Sequence, residues 1–113
     1  MINRIEELVN TPGIVNLELE DFGDINKIKL YKKTTLINNK IELSEKETRD
    51  VNFIIVNIIE KNLIKNLQYN LNYVNSIKRM IQANFSNEVL IIYSYFIDEN
   101  INETIVELFL SSK

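Results

Sequence analysis

The spacing of apolar residues changes period several times along the chain, and each change predicts an element. Ile2, Ile5, Leu8 and Val9 recur at the spacing of one helix face, and Thr11-Pro12-Gly13 then supplies breakers, so a short helix opens the sequence. From Ile14 the period drops to two, with Val15, Leu17 and Leu19 on one side and Asn16, Glu18 and Glu20 on the other, as in a half-buried strand. Asp21-Phe22-Gly23-Asp24 predicts a turn. Ile28 and Leu30, alternating with Lys27, Lys29 and Tyr31, predict a second strand that returns antiparallel to the first. Asn38-Asn39 marks another turn, ahead of a third short strand from Lys40 to Leu43.

Ser44-Glu45-Lys46-Glu47 has the Ser-x-x-Glu form of a capping box and predicts a helix start. The helix expected to follow carries Val51, Phe53, Ile54, Ile55, Val56, Ile58, Ile59, Leu63 and Ile64, with a polar stripe of Asp50, Asn57, Lys61, Lys65 and Gln68. Residues 67–73 alternate like a strand, but no Gly or Pro interrupts the helix, and a bent or broken helix is the preferred reading. Val74, Ile77, Ile81 and Phe85 then form the apolar face of a second helix, with Lys78 and Arg79 on its wet side. Glu88 to Ile97 is the strongest strand signal, apolar on both faces, with Val89, Ile91, Tyr93, Tyr95 and Ile97 opposed to Leu90, Ile92, Ser94 and Phe96. After a turn at Asp98-Glu99-Asn100, residues 104–110 predict a final strand, although residues 101–110 also suit a short helix. The expected fold class is α+β: a short N-terminal helix, an antiparallel sheet of about four to five strands, two central helices packed on it and a C-terminal strand pair. With no repeat or linker, residues 1–113 are expected to form a single domain.

Composition narrows the chemistry. Cysteine and histidine are both absent, which removes disulfides, thiolate nucleophiles, sulfur metal ligands and the usual general base near neutral pH. The net charge of −3 argues against general adhesion to nucleic acid. No run reaches the ~18 apolar residues of a membrane span, and the start is too acidic for a signal peptide, so a cytoplasmic location is expected.

Asp98-x-Asn100-x-Asn102-x-Thr104 places oxygens at alternate positions, as a calcium loop does. The turn glycine is replaced by Glu103 and the bidentate acid by Phe109, so a polar turn is expected and no metal site. Glu18, Glu20, Asp21 and Asp24 cluster four carboxylates. Cross-strand pairing of Glu20 with Lys27 and of Glu18 with Lys29 would neutralise them. Lys27, Lys29, Tyr31 and Lys33 form a possible contact for an anion or nucleic acid. Gly13 and Gly23 stand alone, without a phosphate-binding loop.

What remains is an apolar surplus that so short a chain has difficulty covering. Ile91, Tyr93, Tyr95 and Ile97 are the expected partner or dimer interface. The sequence therefore predicts a non-enzymatic protein-binding module of inhibitor, immunity, adaptor or chaperone type, acting by surface occlusion as a homodimer. No catalytic residues, cofactor or membrane contact are expected. The alternatives are a nucleic-acid-associated factor and a structural subunit of a homo-oligomer.

Overall fold

In the computed structural model, residues 2–11, 17–35, 41, 43–61 and 67–112 are described. The elements in chain order are α1 (Ile2–Asn10), β1 (Ile28–Thr35), α2 (Glu45–Thr48), β2 (Val51–Glu60), α3 (Leu67–Gln82), β3 (Leu90–Ile97) and β4 (Ile105–Ser112). The four strands form one sheet in the order β1-β4-β2-β3. β4 is antiparallel to both β1 and β2, whereas β3 lies parallel to β2. The sheet is therefore mixed, and the parallel pair is made possible by α3, which carries the chain from the end of β2 back to the start of β3.

Two helical and three strand readings agree with this arrangement. The opening helix is α1, the segment from Leu67 is helical, the strand carrying Ile28 and Leu30 is β1, and the last two strands are β3 and β4. Those last two are not a pair, because β2 stands between them.

The largest difference concerns residues 51–60, expected as helix and folded as β2. The capping box does form: Ser44 Oγ accepts from the Glu47 N–H at 3.1 Å, and Glu47 Oε1 accepts from the Ser44 N–H at 2.9 Å. The helix it starts lasts one turn. Asp50 then adopts φ 59°, a left-handed conformation that Asp tolerates better than most side chains, and the chain enters β2. A strand between two neighbours, covered on both faces, needs apolar residues at every position, which is also how a fully buried helix reads. The β-branched richness of Val51–Glu60 decides in favour of the strand.

The expected hairpin near the N-terminus does not form. Leu17 and Glu18 are irregular and Leu19–Phe22 is a 3-10 turn, while β1 pairs instead with β4 at the far end of the chain. The acidic cluster serves these turns. Asp21 Oδ2 accepts from the Glu18 N–H at 2.8 Å and Asp24 Oδ1 from the Asn26 N–H at 3.0 Å, in place of the expected pairs with Lys27 and Lys29. Ile41 and Leu43 are not in a strand, and residues 12–16, 36–40, 42 and 62–66 lie outside the described residues, including parts of the first and third predicted strands and Asn38-Asn39.

Each face of the sheet carries its own core. On one, Val74, Ile77 and Ile81 of α3 pack with Ile54, Val56, Ile58, Tyr95, Val106 and Leu108. On the other, Ile5 and Leu8 of α1, with Leu17 and Phe22, pack with Ile55, Ile59, Phe96 and Phe109. Phe22 meets Phe109 edge-on, with ring centroids 5.4 Å apart. Among the described residues no helix is long and apolar enough to cross a membrane.

Leu108 has no exposed surface, whereas Leu90 is 60% exposed. Leu108→Ala is expected to cost about 2–5 kcal/mol and Leu90→Ala within about 0.5 kcal/mol, read as the shift in urea-unfolding midpoint.

Candidate interaction edge and the polar rung behind it

A four-stranded open sheet has two edges, here β1 and β3, and they differ in character. β1 reads Ile-Lys-Leu-Tyr-Lys-Lys-Thr-Thr and carries three lysines, the usual guard against pairing with another chain. β3 reads Leu-Ile-Ile-Tyr-Ser-Tyr-Phe-Ile and carries no charge. A long, apolar, uncharged edge strand is the kind of edge that seeks a partner strand.

The backbone register identifies which groups that edge offers. The Asp98 N–H donates to the Glu60 carbonyl at 2.8 Å, and Ile97 is opposite Glu60 in an unbroken parallel register. In a parallel ladder, residues alternate between bonding to the neighbour and facing away from it. Asp98, Phe96, Ser94 and Ile92 therefore face β2, while Ile97, Tyr95, Tyr93 and Ile91 direct their N–H and C=O outward.

Their side chains go elsewhere. Tyr95 is 2% exposed beneath α3, and Tyr93, Ile91 and Ile97 are partly buried against the same core. Lys78 Nζ sits 4.7 Å from the Tyr93 ring centroid, and burial raises the Tyr93 hydroxyl above its ordinary pKa. The expected interface residues are thus gathered in one strand, but α3 covers their side-chain face. Among the described residues no strand pairs with the outer side of β3. Beside it, exposed Leu90 separates two shallow clefts. One, about 280 Å³, is lined by Gln82, Ser86 and Ile91 on the α3 side; the other, about 410 Å³, is lined by Phe22, Phe53 and Glu88 on the α1 side.

The basic set is dispersed. Lys27 belongs to a short turn before β1, the Lys29 Nζ donates to the Arg49 carbonyl, and the Tyr31 ring packs on Phe109 at 4.9 Å. With its ring against Phe109 and its hydroxyl on Glu107, Tyr31 offers no stacking platform to a base. Lys27, Lys29 and Lys33 are exposed, and Lys33 stands in the register opposite Glu107. The Asp98 carboxylate accepts from the Asn100 N–H at 2.9 Å, and this segment is the turn between β3 and β4.

Behind the edge, one rung of the sheet is polar across its width: Lys33 lies opposite Glu107, Glu107 opposite Asn57, and Asn57 opposite Ser94. Ser94 Oγ donates to Asn57 Oδ1 at 2.7 Å, and Asn57 Nδ2 donates to Glu107 Oε1 at 2.8 Å. Arg4, from α1, holds the same carboxylate with both arms, Nε to Oε2 at 2.7 Å and Nη2 to Oε1 at 2.5 Å, and the Tyr31 hydroxyl donates to Oε2. Burial pushes the Glu107 carboxyl up, but the donors from Arg4, Tyr31 and Asn57 outweigh it and hold the group below the ordinary carboxylate range. Burial, reinforced by Glu107, raises Tyr31 to about 12. A carboxylate whose oxygens are occupied by four donors, with no exposed surface, positions other groups and has no free lone pair facing a substrate.

The sequence matches no protein-family model and no curated protein. Solved structures do resemble it. An FtsZ dimer from M. jannaschii matches with a TM-score of 0.62 at 15% identity, over 99% of this chain and 35% of that one. A point mutant of FtsZ from the same organism matches with a TM-score of 0.58 at 16% identity, over 99% of this chain and 37% of that one. The chain thus spans little more than a third of the length of these structures, and at such identity the likeness establishes the fold alone.

Arg4, Asn57, Ser94 and Glu107 escape a reading by periodicity. Asn57, expected on a wet helix stripe, has no exposed surface. A signal was present: Glu107 is the one charge within Ile105–Leu110, and Asn57 interrupts an apolar run, so both are polar groups in segments that leave no wet face.

Glu107→Ala strands Arg4 and Asn57 and is expected to cost about 3–5 kcal/mol in chemical denaturation. Stability also depends on pH in a definite sense. Glu107 binds its proton less tightly folded than unfolded, so its contribution is complete above the unfolded value of about 4.3 and is lost as pH falls through the folded value. Tyr31 is shifted the other way; its contribution is complete below about 10 and is lost as pH rises through about 12. Thermal unfolding followed across pH should show a plateau with these two limbs, and Glu107→Ala should flatten the acid one.

Proposed function

We propose that this chain is a non-enzymatic protein-binding module that takes up a partner strand on the outer edge of β3. The observation that carries the reading is the contrast between the two edges: lysines guard β1, whereas Leu90–Ile97 is uncharged and no described residue pairs with its outer side. In strand addition, main-chain hydrogen bonds supply affinity and alternate side chains supply specificity. Four outward-facing residues provide the former, and the clefts on either side of Leu90 suit the latter. Occupation of a partner's strand in this way is how the module would act as an inhibitor, adaptor or chaperone.

The absence of His and Cys supports a non-enzymatic role, as do a serine committed to Asn57 and a glutamate committed to four donors. Among the described residues no group of three or more acids is placed to hold a metal ion.

Proline at position 91 removes one outward N–H and leaves the bonds to β2 in place, a position where edge strands accept proline. Ile91→Pro should keep its thermal transition within a few degrees of the wild type while losing at least tenfold in binding of a co-purifying protein, measured by titration calorimetry. Unchanged binding in this variant, with loss instead in Lys29→Glu/Lys33→Glu, would overturn the edge reading in favour of a basic-surface contact.

A further inference from the structure

On the α1 face of the sheet, the rungs that carry Glu107 and Phe109 lie under α1, Leu17 and Phe22. One further rung of that face follows, in which Ile28 is opposite Ser111, Ser111 opposite Phe53, and Phe53 opposite Leu90. Its cover thins toward β3: Ile28 and Ser111 are buried, Phe53 is partly buried and Leu90 is 60% exposed. Ser111, Phe53 and Leu90 floor the cleft of about 410 Å³. That volume lies in the range of small-molecule sites.

The wall of the cleft is held in place before anything enters it. Residues 19–27 form two successive turns. Asp24 Oδ1 accepts from the Asn26 N–H, and the Ser112 hydroxyl donates to the Lys27 carbonyl at 3.2 Å, which ties the second turn to the end of β4. Between the turns Gly23 takes φ 59°, and a Cβ there would meet nothing within 4 Å, so the backbone and not the space calls for glycine. Phe22, buried edge-on against Phe109, anchors the first turn. A site with fixed walls loses little in ordering when it is filled.

Opposite charges border this floor at its two ends. Lys27 lies beside the β1 end and Glu88 two residues before Leu90 at the β3 end. Both are exposed, and among the described residues neither takes part in an ion pair. β1 and β3 are three strand spacings apart, about 14 Å, and both side chains line the cleft between them. The complementary ligand carries an anion at one end, a cation at the other and an apolar group in the middle. A free amino acid has both charges on one carbon and reaches only one end. An extended peptide of three residues spans about 10 Å and has the required pattern. We infer that this cleft binds short zwitterionic peptides of about three residues with an apolar central side chain, the carboxylate toward Lys27, the ammonium toward Glu88 and the central side chain on Phe53 and Leu90. The site stands whether or not a strand adds to β3.

Titration calorimetry with the tripeptide alanyl-phenylalanyl-alanine should give a dissociation constant below about 1 mM. Acetylating its N-terminus or amidating its C-terminus should each weaken binding about threefold or more. Two variants assign the ends. In Lys27→Gln the free and amidated peptides should bind alike while acetylation still weakens binding, and in Glu88→Gln the pattern should reverse. Blocked peptides that bind as well as the free one, no binding at about ten times that concentration, or unchanged discrimination in both variants would overturn the site. If either variant fails to fold, the comparison of free and blocked peptides on the unmodified chain decides.

Discussion

Glu107 is an ionised side chain with no exposed surface in the middle of a sheet, and much of the structure follows from what it needs. Leaving such a group unpaired would cost several kcal/mol, so donors must reach it from all sides. They arrive from distant parts of the chain: Arg4 from α1, Tyr31 from β1 and Asn57 from β2. Well-packed apolar residues can stabilise a core as well as a buried pair does. What the carboxylate adds is register. A slip of β4 by one residue turns Glu107 to the α3 face, away from Arg4, and sends Leu108 to the α1 side.

The same rung links the interior to the edge. Ser94 in β3 donates to Asn57, Asn57 donates to Glu107, and Glu107 is clamped by Arg4, so one chain of hydrogen bonds runs from α1 to the outermost strand. β3 is held in phase with β2 by this connection. Among the described residues β4 and β2 lie between neighbouring strands, β1 carries three lysines and β3 carries no charge.

The likeness to part of FtsZ concerns the fold and transfers no role, since one fold hosts many functions. Among the described residues the buried polar rung of Asn57, Ser94 and Glu107 is satisfied by its own members with Arg4 and Tyr31.

The sequence by itself determined which stretches are apolar and with what period. α1, α3 from Val74 onward, β3 and β4 were legible because each has a local pattern that one secondary structure satisfies. The absence of His and Cys, the capping box at Ser44 and the apolar character of both faces of Leu90–Ile97 were equally plain. Only the tertiary structure decided that residues 51–60 are a strand, because a segment covered on both faces loses the alternation that separates strand from helix. It also decided that β1 pairs with β4 across the length of the chain, since no local signal encodes a long-range neighbour. For the interface, the sequence named Ile91, Tyr93, Tyr95 and Ile97 by their side chains. The fold turned those side chains under α3 and left their backbones facing out.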